Sequence, residues 1–538
     1  MSPSRVVAHA LALLVVTSGA ARASSFTVDP LVPVSGPDVF ASCTADAVST
    51  QPGTVFPGSV VEPWVAVNPT NPLNIVAGWQ QDRWSNGGSR GLVAGVSLDG
   101  GATFTQVVPP KVNLCSGGTV ANRGDFQRST DPWLTFAPNG DLYFFTLSLD
   151  IAPPPGRSGG FGKNAVFVSK SSDGGTTWDD PIQLIEDDDP RFLNDKTSIT
   201  ADPTDSRFVY AVWDRLKSSL GTIINPDRVV GFGFQGPAML SRTTNGGATW
   251  EAARAIFDPG ANNQTLGNQI VVLPDGTLID LFDLILNHKN PGGQHYGVFN
   301  VALVRSTDRG ETWTNGQAIL VSPLLSKATF DPGGVGIRDP DTGAPLRTGD
   351  IIPAVAVDRN PGSPGFGNLY AVWQDARFSN GGNFSDLSKL IDEIAFSRST
   401  DGGFTWSAPV KINATPTDIP LGDRQAFTAA VAVAEDGTVG VTYYDFRNNT
   451  TAPGLPTDYF IVHCHPSATV ACTGSSDWGS EARITSASFD MEQAPVSRGY
   501  FTGDYQGLAV IGNQFRPVFV EAGRAAGTSA AFTTRAGP

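Results

Sequence analysis

The chain has 538 residues, with 36 Lys and Arg against 51 Asp and Glu, giving a net charge of −15 and a pI near 4.7. That balance repels nucleic acid and anionic membranes, so neither is an expected partner. Only 16% of residues are charged, while 60 Gly, 40 Pro, 31 Phe and 11 Trp describe a turn-rich chain with ample apolar surface and an all-β fold.

Residues 1–23 read as a secretory signal. Arg5 and His9 precede the apolar run Ala10 to Val16, and Ala21-Arg-Ala23 offers a small-x-small cleavage site before Ser24. The run is too short to span a bilayer, and no later stretch reaches the roughly 18 apolar residues a span needs. The expected product is an exported protein, extracellular or periplasmic, folded as a single domain over 24–538. Four cysteines and no CxxC fit that compartment. Proximity pairs Cys464 with Cys472 across a short Pro-containing segment and leaves Cys43 for Cys115, although four cysteines allow three connectivities.

A repeating unit then follows. Its first piece is an apolar strand, as in Trp64-Val-Ala-Val67, Trp133-Leu-Thr-Phe136, Ile270-Val-Val-Leu273, Ala430-Val-Ala-Val433 and Gly507-Leu-Ala-Val510. After a turn rich in Asn, Asp, Pro and Gly comes a second strand, such as Ile75-Val-Ala-Gly-Trp79, Val209-Tyr-Ala-Val-Trp213 or Leu369-Tyr-Ala-Val-Trp373. Five units go on to an octapeptide of nearly constant form: Ser97–Phe104, Ser171–Trp178, Thr243–Trp250, Ser306–Trp313 and Ser399–Trp406. Its Asp or Asn can accept backbone N–H bonds within a turn, and its Gly supplies the positive φ of the bend. The units count to seven, with six as the alternative because the last two carry decayed or missing octapeptides. At about 74 residues each they exceed the roughly 40–50 of a compact blade, and the segment from Ser25 to about Val48 is expected to supply a closing strand.

The octapeptide S/T-x-D/N-x-G-x-T-W/F resembles the Asp box of sialidase-type (BNR-repeat) β-propellers. The resemblance covers nearly all of 24–538 and implies an all-β propeller of four-stranded antiparallel blades. Relatives of this fold include sialidases, other glycosidases and non-catalytic binding propellers.

Strand parity locates the chemistry. In a four-stranded meander the turn between the third and fourth strands, where the octapeptides sit, lies opposite the starts of first strands and the ends of second strands. Those opposite positions hold Glu62, Asp131, Asp195-Lys196, Asn268, Asp350, Asp423-Arg424 and Asp504-Tyr505, then Asp82-Arg83, Asp214-Arg215, Asp375-Ala-Arg377 and Asp445-Phe-Arg447. Crowded carboxylates push one another's pKa values apart, arginines grip carboxylates, and aromatic faces stack on sugars. A repeated Trp-Asp-Arg is equally explained as an internal salt bridge between neighbouring units.

The resemblance implies roles for these residues. Sialidases set three arginines on the substrate carboxylate, a Glu-activated Tyr as nucleophile and an Asp as acid/base. Tyr505-Gln-Gly-Leu508 is similar to their late Tyr-Ser-x-Leu segment; Asp131 or Asp195 would be the acid and Asp504 a further catalytic carboxylate. Arg377 and Arg447 would be clamp arginines, with Arg83, Arg215, Arg424, Trp213 and Trp373 completing the substrate contacts. The early Arg-Ile-Pro is replaced here by Val61-Glu-Pro-Trp64, so Arg83 would have to substitute from another strand.

His288, His295, His463 and His465 lack metal-ligand spacing, the acidic run Glu186 to Asp189 reads as a solvated loop, and no phosphate loop is present. No metal and no cofactor are expected. The expected function is glycoside hydrolysis by a secreted monomer acting on an extracellular carbohydrate, with non-catalytic binding of a protein or polysaccharide at the same face as the alternative.

Overall fold

The computed structural model describes residues 26–47, 53–151, 160–218, 235–286, 298–314, 316–331, 336–479 and 481–538. The leader read at 1–23 and the loop histidines His288 and His295 lie outside them. Among the described residues the chain is all-β, with helix confined to single 3-10 turns, and no helix is long and apolar enough to cross a membrane.

Six antiparallel meanders follow in chain order, covering Val60–Val107, Arg128–Asp187, Phe192–Phe257, Gln264–Pro323, Ala354–Lys411 and Ala426–Arg483. The last sheet is built from Gly507–Ile511, Gln514–Ala522 and Ser529–Thr533, and the N-terminal segment completes it. Val32 pairs with Thr533, and Thr27 pairs with Gly537. The expected closing strand is therefore present as two short pieces. A disulfide from Cys43 to Cys115 ties this segment to the first meander, and Cys464–Cys472 closes a local loop.

The core lies between sheets rather than inside any one of them. Apolar clusters fill each successive interface, from Val76 and Leu134 between the first and second meanders to Phe427 and Phe519 between the sixth and the last. Val65 meets Val518 and Val520, which joins the last sheet back to the first. Second strands are buried on both faces, which is why they read as continuous apolar runs.

All five octapeptides occupy turns between third and fourth strands. In each, the first Ser or Thr hydroxyl donates to the Asp or Asn and accepts from the second Gly N–H, as in Ser399 Oγ to Asp401 at 2.8 Å and Gly403 N to Ser399 Oγ at 2.9 Å. The Asp then accepts from the Thr immediately before the aromatic, as in Thr405 N to Asp401 at 2.9 Å. Gly403 sits at φ 91°, and a Cβ there would lie 3.2 Å from Leu303 Cδ2. Gly403→Ala is accordingly expected to lower the urea unfolding free energy by about 1–2 kcal/mol. Gly362→Ala, in a loop without positive φ, should leave it unchanged.

Candidate active site at the first-strand bulges

Five first strands carry the same irregularity near their start. Pairing slips between Val61 and Trp64, Thr130 and Trp133, Asp195 and Ser198, Leu266 and Gln269, and Phe427 and Ala430. The residue at each slip has positive φ: Glu62 at 52°, Asp131 at 53°, Lys196 at 50°, Gly267 at 71° and Thr428 at 51°. Only one is glycine, so the other four hold a conformation costing of order 1–2 kcal/mol each. Its amide reaches the preceding unit in four cases. Lys196 N donates to Asp131 Oδ2 at 3.0 Å, Gly267 N to Asp214 Oδ2 at 2.8 Å, Thr428 N to Gln374 Oε1 at 2.9 Å and Glu62 N to the Thr502 carbonyl at 3.1 Å.

The bulges bring Glu62, Asp131 and Lys196 together beside Asp504. Lys196 Nζ pairs with Asp504 and lies 3.7 Å from Glu62 Oε1. Arg347 grips Asp504 with both sides of its fork, Nε to Oδ1 at 2.8 Å and Nη2 to Oδ2. Asp504 N donates to Glu62 Oε1 at 3.3 Å, and the other Glu62 oxygen accepts from Gln80. Arg83 backs the cluster, donating to Gln80 Oε1 at 2.6 Å and to Ser497 Oγ at 3.1 Å. The Phe501 ring lies near both guanidinium groups, 5.1 Å from Arg83 and 4.5 Å from Arg347. Beneath them Trp64 and Trp133 stack at 3.4 Å, and the Tyr505 hydroxyl donates to the Pro132 carbonyl at 3.1 Å. Trp64, Trp133, Asp504 and Tyr505 line one cavity together with Gln269, Pro353 and Thr428.

Electrostatics separate these carboxyls. Burial pushes Glu62 up to about 8; Lys196 opposes that shift, and Asp504 and Asp131 add to it. Asp195, half-buried, is pushed up to about 6 by burial, by the charge of Asp131 and by a shared hydrogen bond with it. At Asp504 burial works the other way from its partners, and Arg347 and Lys196 win, holding it well below the usual carboxylate range. Burial, Glu62 and Asp131 raise Tyr505 well above its ordinary value.

Asp131, Asp195, Asp504, Tyr505 and Arg83 therefore meet. The remaining sequence candidates do not. Trp213 is buried with Nε1 on Asn194 Oδ1 at 2.7 Å, and Trp373 is buried with Nε1 on Asp375 Oδ2 at 2.7 Å. Arg215 bonds Asp187 of the preceding meander at 2.9 Å, Arg377 closes on Asp375 at 2.8 Å, and Arg447 closes on Asp445 at 2.7 Å and reaches Glu481 at 3.0 Å. Arg424 donates to the Ile419 carbonyl at 2.7 Å. The arginines of the repeated Asp-Arg pairs in the third, fifth and sixth units are thus braces. Glu186, Asp187 and Asp189 are likewise engaged, by Arg123 and Gln183, Arg215 and Arg191 in turn, while Asp188 is exposed.

Arg347 escaped the sequence reading because it belongs to no repeat. It sits in the connection ahead of the fifth meander, which runs across to pair Leu346 with Tyr500 and Arg347 with Phe501 in parallel. Buried Ile337 and Leu346 anchor that connection in the apolar cluster of the sixth and last sheets. A signal for Glu62 was present: Glu62-Pro-Trp64 and Asp131-Pro-Trp133 repeat an acid before Pro-Trp.

No family model matches the chain. A sialidase from Bacteroides fragilis (strain YCH46) is 29% identical over 143 residues, covering 27% of this chain and 23% of that protein. The chain is similar to sialidases. The match spans about a quarter of that relative's length. Among solved structures, a Hadza microbial sialidase is 16% identical with a TM-score of 0.43, covering 87% of this chain and 74% of its own. A Penicillium chrysogenum α-L-arabinanase complexed with arabinobiose is 13% identical with a TM-score of 0.44, covering 78% and 94%.

Lys196 is the hinge of this charge balance. Lys196→Met is expected to lower the unfolding free energy by about 3 kcal/mol, because two buried carboxyls lose their shared cation. Adding Glu62→Gln should recover part of the loss in a urea double-mutant cycle; strict additivity would show that the two side chains are not coupled.

Proposed function

We propose that the seven sheets are the blades of one propeller and that the chain is an exported, sialidase-like glycoside hydrolase acting on an extracellular carbohydrate. The observation that carries this reading is the separation of two carboxyls in one cluster. Asp195 keeps a proton up to about 6, while Asp504 stays ionised well below the usual range. Two carboxyls pushed apart in this way supply the proton donor and the anion that glycosidic cleavage needs. Similarity to a sialidase over part of the chain supports the same class, and two disulfides fit an extracellular or periplasmic setting.

In this mechanism Asp195 protonates the leaving oxygen, and Asp131 holds the proton on it by charge and hydrogen bond. Asp504 remains negative and stabilises the positive charge that builds on the sugar ring. As the leaving group departs, a solvent water adds to that ring carbon and gives its proton to the now ionised Asp195. Tyr505 donates to the Pro132 carbonyl and is hard to ionise, so it shapes the floor in this state rather than attacking. A second reading, binding without turnover, is favoured by one feature: Asp504 already has both oxygens engaged by Arg347 and Lys196.

Incubation with sialosides and with plant and bacterial glycans, read by sialic-acid and reducing-end release, separates the two. The hydrolase reading expects kcat/KM to be level below pH about 6 and to fall about tenfold per unit above it. Asp195→Asn should cost about 100-fold or more, and Asp131→Asn should move the falling limb about one unit to lower pH. A ligand recovered unchanged after prolonged binding at this face would establish the second reading instead.

A further inference from the structure

Thr428 stands at the bulge of the sixth first strand with φ 51°, a conformation in which a β-branched residue is an outlier. The fourth unit makes the same bulge with Gly267, which bears no such strain. Both residues form the same kind of backbone tie, Thr428 N to Gln374 Oε1 at 2.9 Å and Gly267 N to Asp214 Oδ2 at 2.8 Å. The tie therefore needs no side chain. What offsets the strain at Thr428 is the work of its hydroxyl.

That hydroxyl is buried and donates to the Thr348 carbonyl at 2.8 Å. Gln374, whose oxygen accepts from Thr428 N, extends its amide to Thr348 Oγ1 at 3.3 Å. Thr348 is thus held at both its carbonyl and its hydroxyl by the fifth and sixth sheets. It directly follows Arg347, whose fork closes on Asp504. On the other side of Arg347 the chain pairs with Tyr500 and Phe501, in the connection that also carries Asp504. That pairing joins the arginine and aspartate segments to each other. Thr428 and Gln374 join them to the sheets.

Packing gives this segment no substitute for the bond. Gly349, Gln374 and Thr428 line the same cavity as Asp504, so the chain has space to shift on that side. On the other side the fit is tight: Gly349 has φ 64°, and a Cβ there would stand 2.0 Å from the Asp504 carbonyl oxygen. A displacement of Thr348 is therefore passed on to the contact between Arg347 and Asp504. We infer that Thr428 is a positioning residue of the candidate site, acting through Thr348 to fix Arg347 against Asp504. Its purpose rests on the hydrolase reading, in which Asp504 has to stay ionised. Burial pushes Asp504 up, and Arg347 is the first of the two cations that overcome it.

The test is a carbon-13 titration of Asp504 in the full chain, which needs no substrate. Thr428→Gly keeps the bulge, as Gly267 does, and removes the hydroxyl. Its Asp504 is expected to titrate about one pH unit higher than in the unaltered protein. Thr428→Ser retains the hydroxyl and should restore the original behaviour. Thr200→Val is the control: it removes a comparable bond between units, Thr200 Oγ1 to the Ile270 carbonyl at 2.7 Å, that involves neither Arg347 nor Asp504. An unmoved Asp504 in Thr428→Gly, or an equal movement in Thr200→Val, would overturn the role and leave the hydrolase reading standing. That reading fails separately, if the unaltered protein cleaves no glycan. Should Thr428→Gly not fold, Thr428→Ala is read in the same way.

Discussion

A one-residue bulge in left-handed conformation, set at the same height in five first strands, is the constraint on which the rest of this structure depends. It does two things at once. Its amide ties a unit to the one before it, as Lys196 N does on Asp131 and Gly267 N on Asp214. Its side chain leaves the alternation of the strand. Where the residue is Gly267 or Thr428 the bulge is a tie between units. Where it is Glu62, Asp131 or Lys196 it also delivers charge. Backbone strain of this kind persists when surrounding structure over-determines it, and it gathers at functional sites.

The charges so delivered are balanced by groups of different origin. Asp504 comes from the connection into the last sheet, and Arg347 from the connection ahead of the fifth meander. Together with Lys196 they form a buried knot in which one carboxylate has two cations. Glu62 has Lys196 at 3.7 Å, and Asp195 shares a hydrogen bond with Asp131. The unequal division of the cations separates Glu62 and Asp195, both raised, from Asp504, held low. Acid–base chemistry needs that inequality more than it needs any particular residue.

The repeat was legible in the sequence because it is made of local signals: turn glycines, an Asp that closes on its own backbone, and apolar strands. Those signals also placed the octapeptides in the third turn, and so identified the opposite face as the one to search. Asp131, Asp195, Asp504, Tyr505 and Arg83 were found by that parity argument. It also gathered Arg215, Arg377, Arg447, Trp213 and Trp373, since duplication copies a brace as faithfully as a catalytic group. Their partners, Asp187, Asp375, Asp445 and Asn194, become apparent only in three dimensions. Arg347 was invisible for the converse reason. It repeats nothing, and its place depends on a two-residue parallel pairing between segments 154 positions apart in the chain, Leu346 with Tyr500 and Arg347 with Phe501.

The central claim is that one cluster holds a protonated and an ionised carboxyl side by side. A carbon-13 NMR titration of the aspartate side chains tests it without any substrate. The account expects Asp195 to titrate near about 6 while Asp504 stays ionised well below the ordinary aspartate range. Asp195 and Asp504 titrating together near the ordinary aspartate value of about 4 would contradict it.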